Sequence, residues 1–63
     1  MKVREILKLL HRDGWRLDRQ KGSHRQLEHP TKPGKVTVAG KPSKTLHPSI
    51  VAYILKQAGL KGH

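Results

Sequence analysis

The first residues of the chain carry an apolar repeat of helical period. Val3, Ile6, Leu7 and Leu10 fall at i, i+3, i+4 and i+7 and form one stripe, which Leu9 widens. The spacing predicts a helix over residues 2–13. Lys8, His11 and Arg12 stand in its last turns, where cations complement the C-terminal dipole. Gly14 is placed to be the left-handed residue that ends it. From Trp15 to Gln20 the period changes to two, with Trp15 and Leu17 on one side and Arg16, Asp18 and Gln20 on the other, the pattern of a half-buried strand. Lys21-Gly22-Ser23 reads as a turn, and His24 to His29 as a second strand. Leu27 is the only aliphatic residue there and faces the core. Period two then puts Arg25 and His29 on its side and His24, Gln26 and Glu28 on the other.

Pro30 to Gly34 is a loop with two prolines and a glycine. Lys35 to Ala39 is a short strand with Val36 and Val38 inward, and Gly40 to His47 is irregular. Pro48 fits the first position of a helix, where its missing N–H costs nothing. Ile50, Val51, Ile54, Leu55 and Ala58 form the buried stripe of that helix, Gly59 ends it, and Leu60 folds back as the hydrophobic contact of a Schellman cap. Lys61 to His63 is expected to be a frayed tail. The order α-β-β-β-α with tight connections predicts an α+β fold, a three-stranded antiparallel sheet with two helices on one face and the other face open. The predicted core joins the two helical stripes to Trp15, Leu17, Leu27, Val36 and Val38. Residues 1–63 read as a single domain, without repeats or low-complexity segments.

Composition sharpens this picture. A chain of 63 residues buries only about 60% of the surface its unfolded form exposes, and with no cysteine it has no disulfide or thiolate site. It contains no apolar run long enough to span a membrane and no signal-peptide core, so the expected location is cytoplasmic. Fourteen Lys and Arg against four Asp and Glu give a net charge of +10. So large a charge on so small a fold implies a polyanionic partner: nucleic acid first, then an acidic protein, then an anionic membrane surface.

The titratable residues narrow the chemistry. Glu5, Asp13, Asp18 and Glu28 are scattered, and no two are predicted to share a face at the spacing of a catalytic carboxylate pair. His24 and His29 point to opposite faces of a strand, and His11, His47 and His63 have no partner at ligand spacing, so neither metal nor cofactor is expected. That leaves His24, at a strand start after a sharp turn, in a positive field. RNA supplies its own nucleophile, the 2′-hydroxyl, and a histidine can move the proton near neutral pH. Gly22 permits close approach of a phosphate, and the N–H groups of Gly22, Ser23 and His24 can bind its oxygens if the turn forms a nest. Lys21, Lys41 and Lys44 supply phosphate-binding charge. Each residue also has a plainer reading. His24 is then a surface side chain, His29 a structural group holding the loop beside Pro30, and Trp15 core. Ser23 is then a turn cap, Tyr53 a helix-packing residue with its hydroxyl outward, and Lys41, Lys44 and His47 a solvated loop.

Five pieces of the chain, taken together, resemble the HicA toxins, the ribonuclease halves of HicA–HicB toxin–antitoxin pairs. They are Asp13-Gly14-Trp15, Lys21-Gly22-Ser23-His24, His29-Pro30, Val36-Thr37-Val38 and Ile54-Leu55-Lys56-Gln57-Ala58-Gly59-Leu60. The resemblance implies a fold similar to double-stranded-RNA-binding domains and metal-independent cleavage of mRNA by a single histidine, which corresponds to His24. It implies neutralisation by a HicB-type antitoxin that masks this histidine in a hetero-oligomer. The chain departs from the family pattern at Ala39-Gly40-Lys41-Pro42, where many members carry Pro–His or a further histidine, and at Lys44, near where an acidic residue is common. Both departures point to a stronger phosphate-binding loop. Two other function classes stand beside this one: a non-catalytic RNA-binding module, which needs no histidine, and an interaction protein whose only partner is acidic.

Overall fold

A computed structural model describes residues 1–60; the tail expected at 61–63 lies outside the described residues. The elements are α1 (Val3–Arg12), β1 (Arg16–Lys21), β2 (His24–Glu28), β3 (Lys35–Ala39) and α2 (Pro48–Gln57). The strands form one antiparallel sheet in the order β1-β2-β3. The architecture is the predicted α+β order, and it is compatible with a double-stranded-RNA-binding-domain-like fold.

Both helices end by the same device. Gly14 (φ +105°) donates its N–H to His11 O, and Trp15 donates to Leu10 O. Gly59 (φ +73°) donates to Lys56 O, and Leu60 to Leu55 O. These are the paired bonds of a Schellman motif, which satisfy carbonyls that the helix leaves unpaired. In each case the residue after the glycine is apolar and turns inward: Trp15 is fully buried and Leu60 packs against the core. Lys32 ties the two ends together, donating from Nζ to the Asp13 carboxylate and to Ala58 O.

The start of α1 is held by the segment read as an irregular loop. Val3 and Arg4 donate their N–H groups to Lys44 O and Pro42 O, and Leu46 N–H donates to Met1 O. The Glu5 carboxylate accepts from Lys2 N–H at 2.7 Å. Residues 42–46 therefore cap α1 and carry Leu46 into the core, a buried position that the sequence reading left out. The core otherwise joins Val3, Ile6 and Leu10 of α1 to Leu27, Val36 and Val38 of the sheet and to Ile54, Leu55 and Ala58 of α2, with Trp15 at one end.

Two residues expected in the core lie outside it. Leu17 pairs with Leu27 but is 53% exposed. It sits on the outer strand, and the helices pack chiefly over β3 at the opposite edge, so nothing roofs it. Ile50 is 47% exposed because the helical stripe that reaches the core is Val51, Ile54, Leu55 and Ala58, one residue further round.

Candidate functional site

The geometry of the open sheet face is set by one irregularity. Leu17 pairs with Leu27, but the next partners are Arg19 with Gln26, then Gln20 with Arg25 and Lys21 with His24. Asp18 is thus the extra residue of a β-bulge. In an unbroken register Asp18 would stand opposite Gln26, and Gln20 opposite His24. The bulge moves the strand by one, and a one-residue shift exchanges faces. It brings Arg19 and Lys21 to the face of His24 and turns Gln20 to the other side. The alternation expected for β1, with Asp18 and Gln20 together on the polar face, holds only as far as Asp18. Arg19 is a site residue that the sequence reading missed. The segment has a single aliphatic residue, Leu17, and so nothing fixes its phase beyond that point.

His24 opens β2 immediately after a two-residue turn. Gly22 has φ +59°, and Ser23 has no positive φ. Glycine first with positive φ is the requirement of a type II′ hairpin turn, whose twist matches that of the flanking strands. A Cβ on Gly22 would meet nothing within 4 Å, so the outer side of this turn is open space. Ser23 O accepts from Gly40 N–H at 3.2 Å. The Arg25 guanidinium, on the core side, donates to Gly40 O at 2.8 Å and to Ser23 O at 3.3 Å. The turn bearing His24 is thereby fastened to the start of the segment that carries Lys41 and Lys44.

A shallow cleft of about 250 Å³ lies on this face, lined by Arg19, Lys21, His24, Gln26 and Thr37. The structure thus brings together Lys21 and His24, sets Gly22 and Ser23 in the adjoining turn, and brings Lys41 near through Gly40. Lys44 faces a neighbouring cleft between β3 and α2. His47 is committed elsewhere: its Nδ1 accepts from Ser49 N–H at 3.1 Å and caps α2.

His29 takes the structural role. Its side chain is 9% exposed and packs edge-on against Trp15, ring centroids 5.2 Å apart. Nδ1 accepts from Thr31 N–H and Lys32 N–H, both at 3.1 Å. The ring proton therefore lies on Nε2, which donates to Asp13 O at 2.6 Å. Gly14 makes room for this ring: a Cβ there would come within 2.8 Å of His29 Nε2.

The four acids are all engaged in the scaffold. Glu5 caps α1, and Asp13 holds Lys32. Asp18 and Glu28 flank Lys35, at 2.6 and 3.6 Å. Hydrogen bonding from Lys32 holds the Asp13 carboxyl below its ordinary range, Lys35 does the same to Asp18, and Asp18 in turn raises Lys35. Among the described residues no carboxylate pairs with Arg19, Lys21, Lys41 or Lys44. The open face is therefore balanced at the Asp18–Lys35–Glu28 end and uncompensated around His24.

These features define a small, strongly basic α+β protein with a lone exposed histidine among unpaired cations on an open sheet face. Residues 3–60 match the family model described as the HicA toxin of bacterial toxin–antitoxin systems, and the chain belongs to that family. It is thus the toxin member of such a pair, with an antitoxin as its partner in general terms. No curated protein matches the chain.

Proposed function

We propose that this toxin is a metal-independent endoribonuclease that cleaves mRNA in the cytoplasm, with His24 as its catalytic histidine. The observation that carries the reading is the exposed imidazole between unpaired cations, Arg19 and Lys21, on an open face. RNA brings the nucleophile. The 2′-oxygen attacks the adjacent phosphorus, and the new O–P bond forms as the bond to the 5′-oxygen breaks. The neutral imidazole takes the 2′-hydroxyl proton, water protonates the departing 5′-oxygen, and the imidazolium returns its proton to solvent. The products are a 2′,3′-cyclic phosphate and a 5′-hydroxyl end. Proton transfer of this kind contributes roughly 10²–10⁴-fold. Charge from Lys21 and Arg19 stabilises the phosphorane-like transition state beside it.

Lys21, Gly22, Ser23, Lys41 and Lys44 bind the RNA backbone, the glycine leaving open space for a phosphate. No metal or other cofactor takes part. The antitoxin is an acidic protein of the HicB type, held in a hetero-oligomer, whose carboxylates lie over the basic face and occlude His24.

The test uses end-labelled RNA in excess EDTA with wild type and His24→Ala. Cleavage by wild type alone, leaving cyclic-phosphate ends, is the expected result. Equal cleavage by both proteins, or 3′-hydroxyl and 5′-phosphate ends, rules the mechanism out. RNA binding without cleavage by either protein would replace the enzyme with a non-catalytic RNA-binding module.

A further inference from the structure

A second and larger cleft, of about 540 Å³, lies between β3 and the start of α2. Thr37 and Ala39 of β3 form its floor, Leu46 and Ile54 line it from the core side, and Ile50 and Tyr53 form its outer wall. It adjoins the His24 cleft: Thr37 lines both. Ala39 is the β3 partner of His24, so this floor begins one strand spacing, about 4.8 Å, from the histidine's backbone.

Two features of the outer wall are unexplained by folding. Ile50 and Tyr53 are 47% and 61% exposed, while α2 already covers the core with Val51, Ile54, Leu55 and Ala58. The aromatic ring and the isoleucine are thus spare apolar surface beside a phosphate-binding face. Lys44, which no described carboxylate pairs, lines the same cleft, and no acid lines either cleft.

We propose that this cleft is a nucleobase subsite: it takes one unpaired base of the RNA strand whose phosphate lies at His24, stacked against Tyr53. The proposal rests on the ribonuclease reading and narrows its substrate to single-stranded RNA. Three observations favour a base as the occupant. The volume falls within the roughly 300–1,000 Å³ of clefts that hold small molecules. The wall offers one aromatic face, the element on which splayed-out RNA bases stack. The charge on the cleft and beside it suits the phosphates on either side of that base. The Thr37 and Thr45 side chains stand among the lining residues, where a base edge can meet a hydroxyl. A base within a duplex cannot enter, because its faces are already stacked and its edge is paired.

The experiment measures fluorescence anisotropy with a short single strand in which deoxyribose replaces ribose throughout, so that no 2′-nucleophile is present. Its companion is the same strand with abasic sites, which keeps the phosphates and removes the bases. Wild type should bind the base-bearing strand more tightly. Tyr53→Ala should weaken that strand by roughly five- to a hundredfold, the span of base–aromatic stacking, and leave the abasic strand unchanged. Tyr53→Phe should restore binding, since the ring is retained. Lys21→Ala should weaken both strands alike.

Equal wild-type affinity for the two strands overturns the proposal, as does Tyr53→Ala weakening both to the same degree. If Tyr53→Ala releases an acidic antitoxin while both strands bind as before, the cleft is a protein-docking surface and the base assignment fails. The two readings part cleanly. A wild type that cleaves RNA through His24 but treats the strands alike keeps the ribonuclease and loses the base cleft. One that discriminates the strands without cleaving does the reverse.

Discussion

At the scale of single residues, the chain sets two histidines five positions apart in opposite surroundings. His24 and His29 fall on opposite faces of one strand run, as period two requires, and their surroundings decide the rest. His24 shares its cleft with Arg19, Lys21, Gln26 and Thr37; His29 has the Trp15 ring, two N–H donors and a carbonyl acceptor. Replacing each with alanine should therefore separate stability from activity. His29→Ala should cost about 1–3 kcal/mol in urea denaturation, through lost packing and orphaned polar groups. His24→Ala should change stability by no more than about 0.5 kcal/mol and abolish cleavage. That the two rings lie on opposite faces was legible from parity about Leu27, and the structural place of His29 from Pro30. The tautomer of His29 was not, because its partners Asp13, Thr31 and Lys32 meet only in the folded chain.

At the scale of elements, the helices announced themselves, and β1 announced its presence but not its phase. Each helix carries its stripe, its terminal glycine and an apolar residue to follow, so local chemistry and global packing agree. β1 has one aliphatic residue, and its bulge at Asp18 cannot be read from a segment that is otherwise polar. Leu46 was hidden for the converse reason: an isolated leucine among prolines and lysines shows no period, and only the bonds to residues 1–4 reveal why it is buried. Arg25 links elements in a way that bears on the site. It clamps Ser23 to Gly40 from behind the sheet. Arg25→Met should lower cleavage by roughly ten- to a hundredfold through loosened positioning of the turn. The loss should fall on kcat more than KM, with faster exchange of the Gly40 amide. Loss of binding alone, with kcat unchanged, would show that the clamp does not orient His24.

At the scale of the molecule, the arrangement of charge matters more than its amount. All four acids brace the scaffold, so little of the positive charge around His24 is cancelled from within. RNA affinity should fall with rising salt, log K against log [salt] losing about 0.7 per phosphate neutralised on a single strand. Lys21→Gln should reduce that slope by about the same amount, whereas Lys35→Gln, already paired with Asp18, should barely change it. The same pairs set the stability window. Asp13 and Asp18 are depressed below 3.8, so their contribution is complete above about that pH and is lost as pH falls through the folded values. Lys35 is raised above 10.5, so its contribution is complete below that pH and is lost as pH rises through the folded value. Thermal melts across pH should show stability falling off beyond these limits at both the acid and the alkaline end. Lys35→Met should flatten the alkaline limb and part of the acid limb, since Asp18 loses its partner.

The bonds from residues 42–46 to residues 1–4 have a consequence for biosynthesis. Helix α1 is made before the sheet and α2, but the carbonyls that receive its leading N–H groups belong to Pro42 and Lys44. On a ribosome the helix is left open at its start until residues 42–44 have followed it out, and so short a helix is marginal in water without such support. The stretch that follows brings α2, which lays Ile54, Leu55 and Ala58 against the core. A growing chain thus completes α1, and the core that α1 shares with the sheet, only after residues 42–46 and then α2 have followed.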